Sequence, residues 1–178
     1  MHATLTVERP AADEFFEYYG KYIEKVPGDD ALSALSSQTT DTVRVLRPLS
    51  DAKALHRYAP GKWSIKEVIG HLSDSERVFA YRAMRFGRGD TTPLVGFDEN
   101  QYVPAGKFDA RPFGDVLDEF ASVRAASLAL FRGFDAGALL RHGTANDKAI
   151  SVRALAWILA GHELHHRGLL IERYGVIA

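Results

Sequence analysis

Apolar residues recur every three or four positions along most of this chain, a spacing that predicts helices from end to end. The segment from Asp13 to Lys25 carries Phe15, Phe16, Tyr18, Tyr19, Tyr22 and Ile23 and closes before Pro27-Gly28, which reads as a short aromatic-rich helix or lead-in. From Asp29, a residue suited to cap a helix, Leu32, Leu35, Thr39, Thr42, Val43 and Leu46 carry bundle helix one to a stop near Pro48. Leu49 to Lys62 contains Pro60-Gly61 and reads as loop. Ser64 with Glu67 three residues on has the reciprocal capping-box spacing, and Trp63 just before it can staple the helix start. Helix two then steps through Ile65, Val68, Leu72, Phe79 and Phe86 to about Arg88, with Gly87 and Gly89 closing it. Helix three runs from Phe113 to Arg132 through Val116, Leu117, Phe120, Val123, Leu128 and Phe131, and breaks at Gly133. After a loop holding Gly137, Gly143 and Asn146-Asp147, Ser151 caps the last helix, expected to reach Gly175.

Strand signals are nearly absent, with alternation arguable only over Ala149 to Val152. Four amphipathic helices of roughly 18 to 25 residues predict an all-α bundle, and the chain of 178 residues is expected to form one domain, residues 1–178.

The last helix breaks its own pattern. Val152, Leu155 and Leu159 define an apolar seam that continues through His162 and His166 to Leu169. An unpartnered polar ring on such a line costs on the order of 1–3 kcal/mol, so two rings imply partners, and a divalent metal explains both. The alternative is a pair of core histidines bonded to neighbouring side chains. A catalytic metal needs at least one further protein ligand. His71 lies about 10 Å into helix two at 1.5 Å per residue, and His166 about 12 Å from the far end of the last helix, so antiparallel packing would bring the three rings to one level. That requires an up-down-down-up order. The connection from Gly89 to Pro112 is long enough to provide it, since some two dozen residues span a bundle of about 35 Å. Three neutral imidazoles would leave room for water, whose pKa a zinc-like ion lowers towards ~7.

Composition narrows the chemistry. Lysine plus arginine number 22 against 23 acids, a net charge of -1, so there is no basic excess for nucleic acid. There is no cysteine, which leaves imidazole and carboxylate as the strong metal ligands. No apolar run approaches the ~18 residues of a membrane span and no signal-like segment opens the chain, so a cytoplasmic protein without membrane partners is expected. Glu67, Asp74 and Glu163 are candidate bases or orienting groups, though capping accounts for Glu67 equally well. Arg82 and Arg85 could hold an anionic substrate above the metal, unless they pair with Glu76 or Asp74 on the surface. His165 is turned about 100° from His166 and falls on its flank. His2, His56 and His142 sit in terminal or loop segments, where exposure is expected, and Phe97-Asp98-Glu99-Asn100 could close over a pocket.

The block Trp63-Ser64-Ile65-Lys66-Glu67-Val68-Ile69-Gly70-His71-Leu72-Ser73-Asp74-Ser75-Glu76-Arg77, followed by Gly161-His162-Glu163-Leu164-His165-His166, resembles the DinB superfamily in its YfiT-like branch. The likeness extends through Tyr81-Arg82, Arg88-Gly89-Asp90 and Gly96-Phe97-Asp98 and covers nearly the whole chain from the Phe15 region onward. It implies an up-down-down-up bundle, often a homodimer, with a nickel or zinc ion on His71, His162 and His166. It also implies chemistry on small molecules, since relatives include thiol S-transferases and isomerases that use bacillithiol, mycothiol or glutathione as a metal-bound thiolate. A metal-activated low-molecular-weight thiol, or water, attacking an electrophile is therefore the leading expectation. The second takes His162-Glu163-x-x-His166 as a zincin signature with Glu163 as base. The third is a non-catalytic metal-binding protein, which a fourth protein ligand such as Glu67 would favour.

Overall fold

Side-chain caps set where three of the four long helices begin in the computed structural model, which describes residues 6–176. Asp30, one residue past the expected cap, accepts from Leu32 N and Ser33 N and starts α1 (Ala31–Leu46). Ser64 and Glu67 form the reciprocal capping box that opens α2 (Ile65–Gly87). Pro112, which lacks an N–H to satisfy, precedes α3 (Phe113–Arg132). Ser151 accepts from Ala154 N at the head of α4 (Val152–Glu172). That helix stops three residues short of Gly175, whose positive φ of 66° lets Val176 N fold back onto Leu170 O at 3.1 Å.

The helix directions follow from which ends meet. Lys66 Nζ donates to Asp51 Oδ1 at 2.5 Å and to Arg111 O at 2.6 Å, and Phe113 N donates to the same Asp51 oxygen at 3.0 Å, so α2 and α3 start at one end. Tyr174, just past α4, donates from its hydroxyl to Trp63 O at 2.8 Å, which brings the end of α4 to the start of α2. Leu46 and Leu170 share one apolar cluster, so α1 and α4 end together. The result is an up-down-down-up four-helix bundle.

Two apolar clusters fill it. One gathers Leu35, Phe79, Phe86, Phe131 and Trp157, the other Leu46, Ile65, Phe113, Phe120 and Leu170. Between them lies a charged layer. Counting from Ala31, Ile65, Phe113 and Val152, each long helix contributes its twelfth residue: Thr42, Glu76, Arg124 and Glu163. Arg124 makes paired bonds of 2.8 Å to Glu76 and donates at 2.7 Å to Glu163 and 2.9 Å to Leu35 O, while Thr42 Oγ1 donates to Glu163 at 2.6 Å.

The connections depart from the sequence reading in three places. The aromatic lead-in is two 3-10 turns, Ala12–Glu14 and Glu17–Tyr19, followed by one helical turn, Gly20–Ile23, instead of a continuous helix. The crossover contains a helix, Glu99–Gly106, with Pro104 inside it, and a 3-10 turn, Phe108–Ala110. The loop before α4 is an antiparallel hairpin, β1 (His142–Ala145) and β2 (Lys148–Ser151). Its turn residues Asn146 and Asp147 have φ of 51° and 59°, the left-handed pair a tight hairpin needs. Leu94 from the crossover bonds to Thr144 and Asn146, which ties that loop to the hairpin. Among the described residues, no helix is long and apolar enough to cross a membrane. His56 and His142 are exposed; His2 lies outside the described residues.

Candidate metal centre

The position of His71 is set before α2 begins. Glu67 Oε2 accepts from Ser64 N at 2.9 Å and from Arg57 at 2.5 Å, and Arg57 also holds Asp109 at 2.6 Å, which ties the first turn of α2 to the loop and to the crossover. His71 follows one turn later. On α4, His162 and His166 are one turn apart on one face, and Gly161 beside them has no room for a Cβ, which would lie 2.0 Å from the Tyr22 carbonyl oxygen. The missing side chain lets the Gly20–Ile23 turn dock directly on α4, with the Tyr22 ring edge-on to His162 at 5.5 Å.

The three rings converge through their Nε2 atoms. His162 Nε2 lies 3.2 Å from His71 Nε2 and 3.1 Å from His166 Nε2. Two zinc–nitrogen bonds of 2.0–2.1 Å at a tetrahedral angle place their nitrogens about 3.3 Å apart, so the donor set has the spacing a divalent ion requires. Neutral imidazole also suits zinc, nickel and their neighbours in the series. His71 Nδ1 lies 3.4 Å from Ser75 Oγ, which leaves Nε2 as the atom turned to the other rings. All three histidines are buried and, among the described residues, form the one group placed to hold a metal, with no carboxylate joining it.

Burial pushes all three pKa values down: His71 to about 4, and His162 and His166 well below their ordinary value. Neutral rings in the folded state and protonatable ones in the unfolded chain make stability pH-dependent. Because the folded pKa is the lower, the contribution is intact above about 6.5 and is lost as pH falls from there towards 4. In chelator, urea unfolding at pH 5 is expected to show about 2 kcal/mol less stability than at pH 7 from His71 alone. Equal stability at the two pH values would contradict the buried, neutral assignment.

The histidines form the floor of a cavity of about 290 Å³. Its walls are aromatic: Tyr18, Tyr19 and Tyr22 from the lead-in, Trp63, Phe79 and Phe97. Phe97 and Glu99, from the segment expected to act as a cover, lie on this wall, and Asn146 reaches it from the hairpin turn. His165 also lines the cavity, 5.4 Å from Tyr22 ring to ring.

The other candidates are divided. Arg82 lines the cavity and is 5 % exposed, donating to Val95 O at 3.2 Å. Arg85 faces away, bound to Asp90 and the Tyr81 hydroxyl. None of the three candidate carboxylates reaches the cavity wall. Glu67 is held by Ser64 and Arg57, and Asp74 pairs with Arg77 at 3.3 Å. Glu163 points into the core, 1 % exposed, with both oxygens engaged by Thr42 and Arg124. The side chains that the sequence reading passed over are the wall tyrosines, Ser75, Asn146 and the Glu76–Arg124 pair. The signal for the pair was present, because Arg124 lies four residues after Phe120 and seven before Phe131, on the seam of helix three.

Known proteins share this arrangement of helices. YfiT from Bacillus subtilis, described as a probable metal-dependent hydrolase with an unusual four-helix bundle topology, superposes with a TM-score of 0.70 at 18% identity, over 92% of this chain and 89% of that one. A mycothiol-dependent maleylpyruvate isomerase gives 0.69 at 14% identity, over 88% of this chain and 64% of that one. At these identities the likeness is one of fold. No curated protein matches the sequence. The DinB superfamily model matches residues 34–170, from early in α1 to the last turn of α4, and the chain belongs to that superfamily.

Proposed function

We propose that the protein is a metal-dependent enzyme acting on small molecules, with His71, His162 and His166 holding one divalent ion, nickel or zinc. The supporting observation is the convergence of three neutral Nε2 atoms on the floor of an aromatic cavity. An ion bound there would supply Lewis acidity, favouring the deprotonated form of a low-molecular-weight thiol or of water for attack on an electrophile. The chain itself supplies position and shelter. Ser75 orients His71, the Tyr22 ring and His166 fix His162 from two sides, and Trp63 packs on His71 with ring centres 4.8 Å apart. The tyrosines and Phe97 narrow the access of bulk water to the rings.

Glu163 has no part as a base in this proposal, since its oxygens are spent on Thr42 and Arg124 in the core. A thiol is favoured over a protein nucleophile because the chain has no cysteine. The test is conjugation of a chromogenic electrophile by nickel- or zinc-loaded protein across several low-molecular-weight thiols. The expected result is a thiol-dependent rate well above that of His162→Ala. Equal rates for the two proteins would overturn the reading, and a metal-dependent hydrolysis needing no thiol would assign water as the nucleophile.

We further propose that two copies pair through the α2–α3 face, where Ala80, Tyr81, Met84, Val123, Ala126 and Leu130 line an apolar groove of about 430 Å³. A solution mass of one 19.7 kDa chain would contradict this.

A further inference from the structure

Arg82 is a charged side chain whose surroundings do not account for it. It is 5 % exposed, yet its five N–H donors meet only neutral acceptors, Nη2 bonding Val95 O at 3.2 Å and the guanidinium also bonding the Tyr19 side chain. Among the described residues no carboxylate lies within ion-pairing distance of it. The Phe79 ring, 5.5 Å away, offers a cation–π contact, and the Tyr19 hydroxyl accepts a hydrogen bond from the guanidinium. Neither replaces the anion that a desolvated guanidinium favours. The other arginine buried as deeply among the described residues, Arg124, holds two carboxylates.

Arg82 is also the one arginine or lysine among the described residues of the cavity wall. The wall's single carboxylate, Glu99, is half-buried at the start of the crossover helix. The cavity therefore pairs a buried cation with a more exposed carboxylate and surrounds both with aromatic rings. That polarity draws the negative end of a ligand inward. A volume near 290 Å³ lies at the small end for ligand sites.

We propose that the cavity binds a small carboxylate-bearing ligand with a planar apolar body, its carboxylate on the free donors of Arg82 and its body against Phe79, Trp63 and the tyrosines. This deepens the functional reading by naming the substrate class, and rests on it only in taking this cavity as the working site. A guanidinium presents two parallel N–H donors that match a carboxylate, whereas an uncharged amide of the same shape satisfies them poorly.

The test compares benzoate with benzamide by calorimetric titration at pH 7 in metal-free, chelator-treated protein, so that no ion can bind the carboxylate. Benzoate is expected to bind roughly 10-fold or more tightly than benzamide, and Arg82→Gln to bring the ratio close to one. Equal binding of the two probes, binding of neither, or an unchanged preference in Arg82→Gln would overturn the proposal. Should that variant not fold, NMR of arginine side-chain Nε–H groups in the unmodified protein decides, the expected result being a benzoate-induced shift of one buried arginine other than Arg124. Because the measurement is made without metal, a protein that binds no ion would sink the metal centre and leave this result standing.

Discussion

Arg124→Leu is expected to destabilise the fold by about 3–5 kcal/mol, the loss found when one partner is removed from a buried ion pair. The reason is the layer it occupies. Arg124 is 1 % exposed and is the sole cation between Glu76 and Glu163, themselves 2 % and 1 % exposed, so its removal strands two carboxylates between apolar clusters. It also ties α1 through Leu35 O and Thr39 Oγ1, so every long helix loses a link. In thermal unfolding the midpoint should fall by on the order of 10 °C. Replacing Glu76, Arg124 and Glu163 together by leucine should recover much of the loss, because an apolar layer leaves no charge uncompensated. A single Arg124→Leu variant as stable as the unmodified protein would show that the layer is not held by this cation.

His162→Ala is expected to have the largest effect on metal affinity, a loss of more than ~100-fold in competition with a chromophoric chelator. Altering groups that only orient a metal ligand costs roughly 10–100-fold, and removing a ligand costs more. His162 is the central ring of the three, since its Nε2 is the atom within 3.2 Å of both others. Its loss leaves His71 and His166 as two donors from different helices. The fold should survive, because the space vacated opens onto the cavity and the two apolar clusters are untouched. A Ser75→Ala variant, which leaves all three rings, should weaken affinity within the smaller range. Unchanged affinity in His162→Ala would mean that the ion, if bound, sits elsewhere.

Much of this architecture was legible because the periodicity of four long helices is strong and their caps are explicit. Ser64 and Glu67 mark the start of α2 to the residue, and the axial position of His71 against His162 and His166 requires the up-down-down-up order if the three rings are to meet. The histidine seam was readable because imidazole is unusual on an apolar line. The same reasoning, applied to Glu76 between Leu72 and Phe79 and to Arg124 between Phe120 and Phe131, would have exposed the charged layer. Charged residues on a helix are ordinarily assigned to its solvent face, so that signal went unused.

What was illegible depends on contacts distant in sequence. The hairpin has strands of four residues, too short for alternation to stand out, and its Asn146-Asp147 turn lacks the glycine that marks such turns. The aromatic lead-in showed its composition but not its destination. Nothing near Tyr22 indicates that it reaches α4, and the accommodating feature, Gly161, lies well over a hundred residues away. Glu163 was a candidate base because the five-residue pattern beginning at His162 suggests one. The contacts decide otherwise, since Glu163 turns into the core, where Thr42 and Arg124 engage both of its oxygens.

The most direct test is X-ray absorption at the metal edge, combined with elemental analysis, on protein purified without a histidine tag. About one nickel or zinc ion per chain is expected, with three imidazole nitrogens at roughly 2.0–2.1 Å in its coordination shell. Protein that takes up no stoichiometric divalent ion when supplied with it, or an ion whose shell holds no imidazole, would contradict the three-histidine centre.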